Sequence, residues 1–575
     1  MNQPKDDVTA LAALRSPEGH PYGPVERLRR FAHLEREDLG IVVVYAVAIG
    51  LVSLAVPVAA QALVSNVAFT ALLQPLVVLS ALVLVGLVAA GILRALQYRV
   101  VETLQQRFMV RFTREAVLRL AHADVTDFEA RGGRDLVNRF FDFPLVQKAA
   151  ATLLIDGLSV VLQGGVSLVL LAFYHPALLA FDVVLLGLIA FILFGLGRDG
   201  VVTAVKESKS KYATAAWLES MAASIRTFKG PDGAHFAVAK ADTLARDYVL
   251  ARKKHFGIVF RQIVASYTLQ AVATAALLGL GGYLVIQGQL TLGQLVAAEL
   301  IVTGVLTSVA KFGKYLESYY DLAASIDKVG AVVDLRSERS SGMGREWHRA
   351  ACSVELDGVG YSYDGAARAL RDVTIAVAAG EEVAVLGSDA SGKSTLVDIL
   401  YGLREPTDGV YRVDGVDARS LRLPDLRDRV AIVGRNETVR GTVLDNLVLG
   451  RKDVDAREVA DVLERVALAR EVEALPRGAE TVLGEHGCRL TSSQTVRLCI
   501  ARALLSRPGL LVVDEVLDGL GEETAARVLE GIRTFPAPMT TLYFTSRRDV
   551  AGSVARVVEL DGGTVSVSRK NEEVE

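Results

Sequence analysis

The stretch Gly387-Ser-Asp-Ala-Ser-Gly-Lys-Ser-Thr395 follows the apolar run Val383-Ala-Val-Leu386 and precedes helix-forming residues, which predicts a strand, a glycine-bearing loop and a helix in that order. Gly387 and Gly392 permit backbone geometries that turn N–H groups toward phosphate oxygens, and Ser388, Asp389, Ala390 and Ser391 span the loop between them. The helix N-terminus adds a favourable field for an anion. In such a loop Lys393 reaches the β- and γ-phosphates, and Ser394, next to Thr395, ligates Mg²⁺. The stretch is a phosphate cradle, and it predicts nucleotide binding.

Working outward, a chain of 575 residues exceeds one ordinary domain, and 51% apolar residues with a mean hydropathy of +0.34 is unusual for a soluble enzyme. The excess lies in the first half. Apolar runs at 41–63, 73–93, 151–173, 177–196, 263–285 and 292–309 each approach the roughly 20 residues that cross a bilayer. Six spans are expected, with membrane lipid as their surroundings. The connections at 65–74, 174–176 and 287–291 contain no Lys or Arg, whereas Arg27, Arg29 and Arg30 precede the first span. Arg99, Arg107 and Arg111 follow the second, and Arg198, Lys206 and Lys209 follow the fourth. Basic residues are retained on the cytoplasmic side, so both termini are expected to be cytoplasmic, where ATP is. The expected location is the bacterial cytoplasmic (inner) membrane, in an integral multi-pass protein.

The first forty residues show no apolar core followed by a small-residue cleavage site, so no cleaved signal peptide is expected. Cys352, Cys488 and Cys499 are spaced for neither a disulfide framework nor a zinc site. With 63 basic and 66 acidic residues the net charge is −3, which argues against nucleic acid as a general partner.

About sixty residues join the second span to the third, and a similar length joins the fourth to the fifth. They read as helices extending beyond the membrane, with Leu104, Phe108, Phe112, Ala116, Leu118 and Leu120 near helical spacing. Bends are expected at 124–133 and at 212–219. A segment rich in Ser, Gly and charge at 337–347 marks a linker. The expected division is a flexible N-terminal segment 1–25, a helical membrane domain 26–330, a linker 331–350, an α/β nucleotide-binding domain 351–565 and a charged tail 566–575.

This order of parts resembles the ATP-binding cassette (ABC) exporters, specifically a half-transporter: an all-α six-span transmembrane domain followed by an α/β P-loop cassette domain. The resemblance covers nearly the whole chain after about residue 25 and rests on several ordered motifs. Tyr363, in Tyr361-Ser-Tyr-Asp364, stands where the family places its adenine-stacking aromatic. Leu511-Val-Val-Asp-Glu515 looks like the strand that ends in two carboxylates. The resemblance then implies that Asp514 helps hold Mg²⁺ through water and that Glu515 polarises the attacking water. Thr481-Val-Leu-Gly-Glu485 is similar to the segment that meets the coupling helices, and Leu490-Thr-Ser-Ser-Gln494 to the signature that touches nucleotide bound by a second subunit. That makes Thr491, Ser492, Ser493 and Gln494 trans contacts.

The pattern departs from the family at five places. Ser492 and Ser493 stand where the signature has glycines. No glutamine lies between Thr395 and Gln494, and Arg435 occupies the position of the family's sensing glutamine. Ser546 stands in place of the switch histidine, and the resemblance gives Arg547 beside it the family's ordinary neighbouring-arginine role, with a phosphate contact as the alternative. Asp518-Gly-Leu-Gly521 lacks the final aspartate of the dimer-contact loop, and Asp389 adds a negative charge to the cradle. The resemblance therefore implies ATP and Mg²⁺ as cofactors and ATP-dependent export as one half of a dimer. A heteromer with a second half-transporter is favoured over a homodimer. The alternative is an ATP-binding, weakly hydrolytic regulatory subunit. Asp156, Gln163, Glu299 and Lys311 are the polar candidates for a path taken by an unidentified substrate.

Overall fold

The computed structural model describes residues 22–67, 73–345, 347, 350–363, 368–434, 437–484 and 490–570. Arg435, Glu485 and Cys488 lie outside the described residues. Two compact units result, Met1–Ala123 with Asp127–Arg336, and Asp124–Thr126 with Ser337–Glu575.

The first unit is helical. Helices Arg36–Ser65, Leu76–Ala121, Leu136–Ala172, Pro176–Ala223 and Pro231–Ile286 are long and apolar enough to cross a membrane, and the sixth expected run forms the shorter apolar helix Leu292–Thr307. Local chemistry sets their ends. Pro176 and Pro231 open helices, where a missing N–H is harmless. Before Leu292, Thr291 and Gln294 exchange side-chain and backbone hydrogen bonds of 2.8 and 3.1 Å. Gly50 lets the first span approach the third, since a methyl there would lie 3.2 Å from Gln163 Cα.

The expected bend at 124–133 is present: the long helix ends at Ala121 and a short helix, Val125–Ala130, follows. The bend expected at 212–219 is not. Helix Gly200–Ala223 runs straight through that stretch, whose Ala213, Ala215 and Ala216 favour helix, and the break falls instead before Gly230-Pro231. Within the second long helix Leu104, Phe108, Phe112 and Ala116 are buried, but Leu118 is 40% exposed and belongs to the opposite face. Phe112 stacks on Phe143 with centroids 4.2 Å apart. Two π-helical turns, Leu153–Gly157 and Phe191–Gly195, interrupt the spans. At the second, the buried Gln262 amide donates to the carbonyls of Ile192 (3.1 Å) and Leu193 (3.4 Å).

The second unit is layered α/β. One sheet is antiparallel and places Val354–Ser362 between Arg368–Val377 and Asp408–Val413. The other has six strands in the order Thr564–Lys570, Arg556–Asp561, Glu382–Leu386, Thr540–Thr545, Leu510–Asp514 and Val430–Val433, parallel except for the first pair. Val383, Ala384, Val385 and the run from Leu510 to Val513 are buried, as continuous apolar strands must be when both sheet faces are covered. Helix Ser492–Leu505 buries Val496, Ile500 and Leu504 against this core.

Close packing predicts a specific weak point. A methyl on Gly531 would fall on the Arg465 carbonyl group, 2.7 Å from its carbon, and backbone cannot step aside as a side chain can. Gly531→Ala is expected to destabilise the α/β unit by about 1–3 kcal/mol, seen as a lowered midpoint in thermal unfolding of the full chain.

Candidate functional site

Parallel register gathers the sequence motifs at one edge of the six-stranded sheet. Leu386, the last residue before the loop, pairs with Thr545, and Phe544 pairs with Asp514. Ligands of open α/β sheets sit beyond these carboxyl ends. The loop is tied down from two sides, by Gly387 N–H to Thr545 O (3.1 Å) and by Gly563 N–H to Ser391 O (3.1 Å). Helix Lys393–Leu400 starts directly after Gly392, whose φ of +102° is left-handed backbone. A side chain at Gly392 would also press on Leu370 (2.7 Å) and the Ala369 carbonyl (2.8 Å). Ala390 holds φ +62° without being glycine, a conformation that costs about 1–2 kcal/mol in an L-residue.

Lys393 is 4% exposed. Its ammonium donates to Gly387 O and Ser388 O, each at 2.6 Å, and lies 3.1 Å from Glu515 Oε1. A buried ammonium with three donors therefore has two carbonyl acceptors and a carboxylate. Glu515 is itself strained at φ +54°, held by its N–H to Phe544 O (2.8 Å) and its carbonyl accepting from Asp518 N–H (3.2 Å). Strain of this kind concentrates at functional positions. Ser388, Asp389, Ala390 and Ser394 are exposed around the loop, while Ser391 and Thr395 are buried beneath it.

Tyr363 shares a 3.0 Å hydrogen bond with the Thr395 hydroxyl, and the guanidinium of Arg404 stands 4.8 Å from its ring centroid. Arg404 is a neighbour that sequence reasoning missed, because nothing in its spacing joins it to Tyr363. Its own position is set by Asp398 at 2.8 Å.

The switch region is occupied by protein. Asp518 accepts from the Thr545 hydroxyl and from Ser546, whose N–H and hydroxyl lie at 2.9 and 3.0 Å. Arg547 donates to the carbonyls of Asp518 (3.3 Å) and Leu520 (3.2 Å) and pairs with Asp549, so its guanidinium is a local brace and the alternative of a phosphate contact is not supported. At the signature, Thr491 and Gln494 form a capping box on helix Ser492–Leu505, with bonds of 2.9 and 3.2 Å. Ser492 is exposed in its first turn. Among the described residues no hydrogen bond joins Thr491, Ser492, Ser493 or Gln494 to the phosphate loop. Burial pushes the Cys352 thiol up to about 12, which leaves it an inert structural group.

In the helical unit the polar candidates separate. Lys311 borders a cavity of about 450 Å³ with Arg252, His255 and Glu317, while Gln163 borders a different one of about 220 Å³. Sequence reasoning missed Asp182, 3% exposed within a span, because a single acid in a long apolar run gives no periodic signal.

A loop whose backbone turns through left-handed residues into a helix, with a lysine and a carboxylate at its mouth and a hydroxyl on its rim, fits a magnesium nucleotide. Family comparison agrees: residues 370–518 match the model described as ABC transporter, and residues 39–309 match the ABC transporter transmembrane region. The chain belongs to the ABC transporter family. As in other members that fuse the two regions, its apolar helices make it an integral membrane protein. The chain is 28% identical to a multidrug efflux ATP-binding/permease protein of Mycobacterium tuberculosis over 74% of its length and 35% of that relative. It is 32% identical to ABC transporter B family member 1 of Arabidopsis thaliana over 52% of the chain and 24% of the relative. An ATP-dependent lipid A-core flippase of Chromobacterium violaceum is 29% identical over 52% of the chain and 51% of its own length. The chain thus spans about a third or less of the first relatives and about half of the flippase. Its fold is that of a bacterial Atm1-family ABC exporter solved with ATP bound, at TM-score 0.80 and 20% identity over 93% of this chain and 95% of the other.

The loop geometry makes a direct prediction. Gly387→Ala would place a methyl against the Ser391 hydroxyl and 2.7 Å from Leu560 O. ATP affinity, measured with a fluorescent nucleotide, is expected to fall at least about tenfold, equivalent to about 1.4 kcal/mol.

Proposed function

We propose that this chain is one half of an ATP-driven ABC exporter whose second half is a different half-transporter. The observation that carries the reading is the Lys393–Glu515 juxtaposition at the mouth of the phosphate loop, in the same chain as a set of membrane-crossing helices. In this reading the loop N–H groups and Lys393 bind the phosphates, and Tyr363 takes the base on the face away from Arg404. Ser394, and Asp514 through water, hold Mg²⁺, which neutralises charge on the phosphates when bound. Glu515 leaves Lys393 and accepts the proton of the attacking water. Both termini lie in the cytoplasm of a bacterial cell, and the substrate leaves it. The drug efflux and lipid A-core flipping for which two relatives are named favour an amphipathic substrate.

A second reading has its own support. The Ser546 hydroxyl and N–H are committed to Asp518 rather than facing the loop, so the switch position does not read a γ-phosphate. A subunit that binds ATP and turns it over slowly, in a complex powered by its partner, follows from that lock. Ser492 and Ser493 then face the partner's nucleotide and loosen its grip.

The two readings diverge in one measurement. Glu515→Gln is expected to lower ATP turnover of the reconstituted complex by about 10²–10⁴-fold while leaving ATP binding intact, and to abolish transport. Transport that survives in that variant assigns the power stroke to the partner. Ser546→His is expected to raise turnover if the switch position limits this chain, with vanadate-sensitive phosphate release as the assay.

A further inference from the structure

Inside the helical unit, a cavity of about 580 Å³ opens among the 3-10 segment Gly133–Phe141, helix Gly200–Ala223 and helix Phe312–Val333. Its volume is in the range of small-molecule sites, roughly 300–1,000 Å³. Several polar groups at its rim are already engaged, and the Asp327 carboxylate also lines it. Arg27 pairs with Asp334, Arg131 with Asp127 at 2.9 Å, and the Asn138 amide donates to Glu219 at 2.6 Å. The side chains of Arg139 and Lys209 also line the cavity, and among the described residues neither side chain has an ion pair or a hydrogen bond.

Lys328 is the decisive group. It is 8% exposed, its Nζ stands 3.2 Å from the Tyr212 ring centroid and 3.8 Å from Asp142 Oδ1, and it makes no hydrogen bond. Asp142 is meanwhile engaged by the Tyr212 hydroxyl. An ammonium is a donor only, and a buried polar group with no acceptor within hydrogen-bond distance is the kind of exception that a bound ligand explains. Three donor-only cations around one cavity select a partner made of acceptors, and their charge selects an anion. Ala213, Ala216 and Ala324 add an apolar wall with room for a carbon skeleton.

We propose that this cavity binds a small organic oxyanion, a carboxylate or a phosphate ester, whose charged end sits on the Lys328 ammonium with Arg139 and Lys209 closing on it. The site differs in place and chemistry from the phosphate loop. It also carries a pH signature. Burial pulls Lys328 down to about 8, with Lys211 and Arg139 lowering it further and Asp142 and Asp327 acting in the opposite sense. The charged form is the one that binds, so affinity weakens as pH rises through about 8.

Isothermal titration calorimetry on the full chain in neutral-lipid nanodiscs tests this, with citrate and glycerol phosphate as probes and a Lys393→Ala background that silences the phosphate loop. Saturable binding of at least one probe is expected, at least tenfold weaker in Lys328→Met and in Arg139→Gln, and weaker at pH 9 than at pH 7. Lys209→Gln changes an exposed residue, so it reports on the site even where the buried variant fails to fold. Competition by anionic phospholipid in the nanodisc identifies a lipid headgroup as the source of the oxyanion, and its absence identifies a soluble one. No binding of either probe, or binding unchanged in all three variants, overturns the proposal.

Discussion

A single buried ammonium organises the nucleotide-binding unit. Lys393 is almost fully removed from solvent, and a lone charge in that setting carries a penalty of several kcal/mol unless it is met by acceptors. Two loop carbonyls and the Glu515 carboxylate meet it. The loop must therefore fold back over its own lysine, and the strand bearing Glu515 must stop where that carboxylate can reach. The left-handed backbone at Ala390, Gly392 and Glu515 is what this arrangement requires. On the proposed reading, a phosphate entering the loop offers the same ammonium better acceptors and releases Glu515 for catalysis.

The same sheet edge shows how the switch position is engaged by its own unit. Strand Thr540–Thr545 delivers Ser546 beside the site, yet Asp518 draws it away with a bond from its N–H and another from its hydroxyl. Arg547 is spent on the Asp518 and Leu520 carbonyls and on Asp549. On the proposed reading, the parts that hold phosphate are built into the loop, while Ser546 and Arg547 are absorbed into the packing around Asp518.

In the helical unit, order comes from apolar packing with a few polar constraints set into it. Leu171, Leu178, Leu185, Leu277 and Leu306 form one buried cluster, and Phe108, Phe112 and Phe143 belong to another. Gln262 secures the π-helical turn at Phe191–Gly195 by supplying the donor that its carbonyls need. Farther along the same helices, Tyr212, Asp142 and Lys328 tie three helices through one carboxylate. Irregular helix persists in such a bundle only where a neighbour satisfies its carbonyls.

Most of the architecture was legible in the residues, because apolar runs of bilayer length and a strand–glycine loop–lysine–helix pattern are local properties. The phosphate loop, the two carboxylates after Val513 and the first bend needed no long-range information. The straight course of 212–219 was misjudged because helix continuity there rests on alanines, and the break waits for Gly230-Pro231. What only the tertiary structure decided is which distant groups share one space: Lys393 with Glu515, Tyr363 with Arg404, Ser546 with Asp518, and Lys328 with Asp142. These pairs come together through parallel strand register and helix packing, which depend on side chains far apart in the chain. The sequence by itself determined that a nucleotide cradle is joined to membrane helices; the pairing of buried charges determined which of its groups are free to act.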